Sequence, residues 1–167
     1  MTSSTRTLLL RVFLRCVAAS VAGLAIGAAG AFTLSDGTTM ECVARGASVP
    51  EVDVPAGTNA EFTGRAASGS SGYRIVWNRA RLEALPPVMR DFLFFHECAH
   101  AQLATPEELA ANCAGLKAMR AAGRGGVAVE AKIAAFYGAG NPYWAQTLAC
   151  ANMPDTPEPA ATPTPAR

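Results

Sequence analysis

The sequence predicts a helix-rich, strand-poor α+β domain, and three observations predict it. Residues 36–72 mix Gly, Ser, Thr and Pro with short β-favouring pieces such as Glu51-Val52-Asp53-Val54. Tyr73-Arg74-Ile75-Val76-Trp77 then alternates β-branched and aromatic residues as a strand does. From Pro86 to Asn152 apolar residues recur at helical spacing, in stretches separated by Thr, Pro and Gly.

Residues 1–31 are expected to lie outside that domain. Arg6, Arg11 and Arg15 precede the apolar run Val17 to Ala29, and Ala29-Gly30-Ala31 offers the small-x-small pattern of a signal peptidase site, so this segment reads as a cleaved secretory signal. The run is thirteen residues long, short of the ~20 that cross a bilayer, so no stable membrane span is expected after cleavage. Cys16 lacks the small residue that precedes a lipidated cysteine. Removal of the segment leaves eleven basic against thirteen acidic residues, a formal charge near −2, which points away from nucleic acid as a partner. It also leaves four cysteines, Cys42, Cys98, Cys113 and Cys150, an even number suited to two disulfides in the oxidising periplasm or outside the cell. No free thiol is expected in the exported chain.

Within the domain, residues 32–152, Ala66 to Gly72 (AASGSSG) reads as a loop and Tyr73 to Trp77 as a strand. Pro86 and Pro87 suit the start of a helix carrying Val88, Met89, Phe92, Leu93 and Phe95 on its apolar positions and ending near Leu103. Thr105-Pro106-Glu107-Glu108 opens the next helix with an N-cap threonine, a proline at the first helical position and an acid three residues after the cap, and Gly123 closes it. Further helices are expected over 127–137 and 142–152. Residues 153–167 hold five prolines in fifteen positions and little to bury, so a disordered or polyproline-like tail is expected.

The long helix carries His96-Glu97-Cys98-Ala99-His100, and the chain has no other histidine. Positions i and i+4 share a helix face, so both imidazoles can address one ion while Glu97 flanks the same region. This H-E-x-x-H arrangement is that of zinc peptidases, in which the metal lowers the pKa of water and polarises a carbonyl and the glutamate takes the proton of the attacking water. Cys98, two residues from either histidine, points away from that face.

A strand, a helix with His96-Glu97-x-x-His100 and a following helix with Glu108-x-x-Ala111-Asn112 together resemble the zincin metallopeptidases, and more narrowly the gluzincin group. The resemblance covers residues 73–122 and implies a minimal zincin-like domain with a short β-sheet packed on the motif helix. It also implies Zn2+ bound by His96, His100 and Glu108, Glu97 as general base, and a peptide, protein or peptidoglycan-like amide substrate. Asn112 stands where many gluzincins have an aspartate, and the step from His100 to Glu108 is only eight residues. In one continuous helix that step would be ~12 Å, but Pro106 breaks the helix. A hinge near Ala104 would bring His100 and Glu108 level, and Cys98 and Cys113 with them, which favours Cys98–Cys113 and Cys42–Cys150 among the three pairings. Glu108 has a second reading as the acid of a capping box with Thr105, with Glu107 as the reserve ligand. Asp91 reads as a solvated helix charge or as support for the site. Tyr73, Tyr137 and Tyr143 read as packing residues or as phenols for a developing oxyanion. The competing function is a non-catalytic exported metal-binding or adaptor protein on a peptidase-derived scaffold.

Overall fold

The computed structural model describes residues 31–55, 64–69 and 72–154. The expected signal, apart from Ala31, and all of the tail beyond Pro154 lie outside the described residues. The chain is α+β. Two small antiparallel pairs come first, β1 (Phe32–Thr33) with β2 (Thr39–Met40) and β3 (Val43–Ala44) with β4 (Ala47–Ser48). A three-stranded sheet follows in the order β5-β7-β6, from β5 (Glu51–Asp53), β6 (Gly64–Gly69) and β7 (Gly72–Trp77); β5 runs parallel to β7 and β6 antiparallel to it. Among the described residues five helices follow or flank the sheet: α1 (Arg79–Glu83), α2 (Pro87–Leu103), α3 (Glu108–Ala121), α4 (Val127–Tyr137) and α5 (Pro142–Ala151).

The helices begin and end close to where sequence places them, because caps and apolar spacing agree. Pro87 sits in the first turn of α2, where its missing N–H costs nothing. Asn141 caps α5 by accepting from the N–H groups of Tyr143 and Trp144 at 3.0 and 3.1 Å. Two local expectations are corrected. Ala66 to Gly69 belongs to strand β6 rather than to a loop, since its backbone pairs with Tyr73, Arg74 and Ile75 while its small side chains carry no strand signal of their own. Helix α3 starts at Glu108 rather than at Pro106: Thr105 Oγ accepts from Glu107 N at 3.1 Å, and the Thr105–Glu108 capping box does not form.

The core lies between the central strand and α2. Ile75 and Trp77 of β7 are fully buried, Phe32 stacks on Phe94 and tilts against Trp77, and Phe92 meets Trp144 edge to face. Leu116 and Met119 of α3 and Ile133 of α4 fill the far side of α2. Asp91, on α2, is buried rather than solvated, and it supports β1–β2 rather than the motif: its carboxylate accepts from Ser35 N at 2.7 Å and Ser35 Oγ at 2.6 Å.

The four cysteines do pair, but not as the level-matching argument suggested. The bonds are Cys42–Cys98 and Cys113–Cys150, with Cα–Cα separations of 5.5 and 5.7 Å. The hairpin does bring α2 and α3 side by side, but Cys98 lies on the face of α2 turned to the β3 segment and Cys113 on the face of α3 turned to α5. One bond therefore ties the motif helix to the N-terminal strands and the other ties α3 to α5. The sequence separations are 56 and 37 residues, so in the chain-entropy account removing either bond costs roughly 4 kcal/mol. Reduction is expected to lower the melting temperature sharply, and peptide mapping without reductant to recover these two linked pairs. Two disulfides place the folded chain in an oxidising environment, and among the described residues no helix is long and apolar enough to cross a membrane.

The sheet carries a pH-dependent weakness. Glu51 Oε2 accepts from the Trp77 indole N–H at 2.6 Å while its other oxygen is buried without a partner, and burial pushes the carboxyl up to about 7 from 4.5. A carboxyl raised on folding favours the folded state below its unfolded pKa, and that contribution is lost as pH rises through 7. Glu51→Gln keeps the acceptor for Trp77 and is expected to raise the melting temperature at pH 8 while leaving it nearly unchanged at pH 4.5. An equal shift at both values would disprove the assignment.

Candidate metal centre

The site is built where α2, α3 and the edge strand β6 meet. Residue 104 sets the geometry: Ala104 adopts the left-handed conformation at φ 52°, ψ 43°, its N–H bonds back to the His100 carbonyl, and the chain turns into α3 alongside α2. The expected hinge is therefore present, and the eight-residue step from His100 to Glu108 closes. Further along, α3 approaches α2 so closely at Gly115 that a Cβ there would lie 2.9 Å from His96 N and 3.0 Å from His96 Cα. Gly115 thus fixes the spacing between the helix that carries both histidines and the helix that carries Glu108. Gly115→Ala is expected to destabilise the fold by about 1–3 kcal/mol and to weaken metal binding, with both changes read from zinc titration and thermal unfolding of one preparation.

His96 Nε2 and His100 Nε2 lie 3.1 Å apart, and Glu108 Oε2 lies 3.2 Å from the first and 3.5 Å from the second. Both imidazoles are buried, while the Glu108 side chain is exposed at the mouth of the site. Bonds of about 2.05 Å in a tetrahedron set ligand–ligand edges of roughly 3.3 Å. The observed triangle has that size, and its three atoms can hold a metal ion. Such an ion would be reached through a cleft of about 430 Å³, which Glu97 and Tyr73 also line.

Each ligand atom is prepared by its surroundings. The His100 Nδ1–H donates to the Thr105 carbonyl at 2.8 Å, which makes Nε2 the nitrogen that faces the site. Burial, and then the neighbouring His100, hold the His96 pKa well below its ordinary value, so the imidazole stays in the neutral form that a metal requires. Asn112, buried on α3, lies beside His96 and also meets the Tyr137 phenol. His96 Nδ1 and Asn112 Nδ2 both lack a hydrogen-bond partner, so the amide sits next to the ring without the firm bond that an aspartate would make.

Glu97 is not part of the triangle. It faces β6, where Ala66 N donates to Glu97 Oε2 at 2.6 Å. Gly64 makes this approach feasible: a side chain there would overlap the Trp77 indole and press on Glu97 Cγ at 3.3 Å. Burial pushes the Glu97 carboxyl up to about 7, against the lowering effects of the Ala66 N–H and of His100. The group is a buried carboxyl with one oxygen tethered, poised to exchange a proton near neutral pH.

His96, Glu97, His100 and Glu108 are thus brought together, and Glu107 makes no contact with the two histidines comparable to that of Glu108. Tyr73 lines the cleft, and burial raises the pKa values of the Tyr137 and Tyr143 phenols, with a smaller contribution from the charge of Glu108. Sequence reading missed the Thr105 carbonyl and the Ala66 N–H, because backbone groups leave no residue-type signal. Asn112 was legible only as a departure from an expected acid. A scan against protein-family models and searches of curated proteins and of solved structures find no match to this chain.

Proposed function

We propose that the protein is an exported zinc-dependent hydrolase of the gluzincin-like type, a metallopeptidase that cleaves an amide bond in a peptide, protein or peptidoglycan-like substrate. The observation that carries this reading is the His96–His100–Glu108 triangle of 3.1, 3.2 and 3.5 Å with a buried carboxyl, Glu97, beside it but outside it. Two imidazoles and one carboxylate are the donor set of catalytic zinc, and three protein ligands leave a fourth position open. A bound zinc ion would supply a Lewis acid for the substrate carbonyl and make water acidic enough to attack near neutral pH.

The chain's own residues have distinct tasks. His96 is held neutral by burial, and the bond from His100 Nδ1–H to the Thr105 carbonyl turns His100 Nε2 to the site. Glu97 takes the proton of the attacking water and returns it to the leaving amine, and the Ala66 N–H keeps one of its oxygens fixed while the other remains free to act. Tyr73 lines the cleft where a substrate carbonyl would lie. The disulfides support a setting in the periplasm or outside the cell.

The test is a peptide-library digest by zinc-loaded protein with and without chelator. Cleavage that chelation abolishes and added zinc restores is expected. A protein shown to hold one zinc per chain that cleaves neither peptides nor peptidoglycan fragments would instead support the non-catalytic metal-binding or adaptor reading.

A further inference from the structure

The metal cleft holds one charge for which the proposed reaction has no use. Among the residues that line it, two histidines and Glu108 form the triangle and Glu97 is the buried carboxyl, which leaves Arg65 as the other charged side chain. Arg65 is exposed on strand β6, and among the described residues its guanidinium makes no hydrogen bond or ion pair.

Backbone geometry puts Arg65 beside the reacting groups. The next peptide nitrogen, Ala66 N, donates to Glu97 Oε2 at 2.6 Å, so the Arg65 carbonyl carbon is bonded to the atom that holds the candidate base. The pleat turns Gly64 toward Trp77 and Glu97 and starts the Arg65 stem on the other face of the sheet. Because β6 is an edge strand, a long side chain that starts there reaches the cleft around a free edge. Electrostatics favours that course. On the outer face the diagonal neighbour of Arg65 is Arg74, also positive, whereas on the cleft side its charge acts on Glu97.

The remaining lining is small. Strand β6 contributes Gly64, Ala66, Ala67 and Ser68, the turn between α2 and α3 contributes Thr105 and Pro106, and no aliphatic side chain larger than proline is present to receive a bulky apolar group. The balance of charge also has a sign. Glu108 would neutralise half of a divalent ion and Arg65 offsets Glu97, so the loaded cleft carries net positive charge and favours an anionic ligand.

We propose that Arg65 sets the specificity of this site by gripping a carboxylate that the substrate carries close to its scissile amide, with small side chains on either hand. A guanidinium suits this task, since its planar fork meets a carboxylate with two parallel hydrogen bonds. The proposal rests on the hydrolase reading and narrows its substrates to acidic peptides of small residues, the carboxylate coming from a side chain or from a chain terminus.

The test measures binding without turnover, by calorimetry on zinc-loaded full-length protein carrying Glu97→Gln. The probes are end-blocked Ala-Ala-Glu-Ala-Ala, its Gln and Lys counterparts, and the Gln peptide with a free C-terminus. The Glu peptide, the free-terminus peptide or both should bind about tenfold or more tighter than the blocked Gln peptide, and which of them does so identifies the source of the carboxylate. Arg65→Ala should remove the preference and Arg65→Glu should transfer it to the Lys peptide, with zinc content and melting temperature unchanged because the side chain is exposed and holds no ligand. Equal or unmeasurable binding of all four probes would overturn the proposal, and so would an acidic preference that survives Arg65→Glu. The two readings fail separately. Chelator-sensitive cleavage of a peptide library with no enrichment of acidic sequences would sink the role of Arg65 and leave the hydrolase, whereas binding that depends on Arg65 without any cleavage would keep that role and sink the hydrolase.

Discussion

His100→Ala is expected to abolish metal binding at the candidate centre. His100 is the most firmly positioned of the three candidate ligands: it is buried, its Nδ1–H is committed to the Thr105 carbonyl at 2.8 Å, and its Nε2 can turn nowhere but toward His96 and Glu108. Loss of a group that merely orients a ligand costs about 10–100-fold in metal affinity, so removal of a ligand should cost more than about 100-fold. The zinc content of dialysed protein should fall from near one per chain to near zero, and the rise in melting temperature on adding zinc should vanish, because stabilisation by a ligand scales with its affinity for the folded state. Glu108→Ala should lose zinc in the same way while leaving the metal-free melting temperature almost unchanged, since Glu108 makes no capping bond that would be lost with it. A capping role predicts the reverse, a loss of about 1 kcal/mol with zinc retained. If the His100→Ala protein still held one tight zinc, the site would have to be sought elsewhere.

What sequence made legible here follows from the range of the forces involved. The extents of α2, α4 and α5 and the strand at Tyr73–Trp77 are set by local spacing, caps and breakers, and local signals survive in a sequence. The hairpin at Ala104 was legible as well, because Pro106 breaks a continuous helix and a shared metal site would need His100 and Glu108 level. The disulfide pairing was not. Adjacency of α2 and α3 is compatible with Cys98 and Cys113 facing each other or facing outward, and only the rotation of each helix about its axis decides between these. That rotation is set by packing at Gly115 and by the apolar residues around it, which involve partners far apart in the chain. Strand β6 was hidden for a related reason: Gly64 has no room for a side chain against Trp77 and Glu97, and Ala66 and Ala67, which pair with Ile75 and Arg74 through their backbones, carry no strand signal of their own. The same contact put a backbone donor on the candidate general base.

Glu97→Gln is expected to separate chemistry from binding more cleanly than any other change. The glutamine has the shape of the carboxylate and can still accept the Ala66 N–H at Oε1, so the cleft and the three ligands should keep their places. What it cannot do is take a proton, and loss of a positioned general base costs about 10²–10⁴-fold in rate. Zinc content should stay near one per chain while kcat falls and KM changes little. A second readout follows from burial. In the metal-free chain the Glu97 carboxyl is pushed up to about 7 from 4.5, so its contribution to stability is complete below the unfolded value and is lost as pH rises through 7. The metal-free Glu97→Gln protein should therefore melt above the wild type at pH 8 and alongside it at pH 4.5. Bound zinc should narrow the difference at pH 8, because a cation next to the carboxylate favours its charged form. Zinc lost together with activity would make Glu97 a ligand rather than a base, and unchanged turnover with zinc in place would remove it from the reaction altogether.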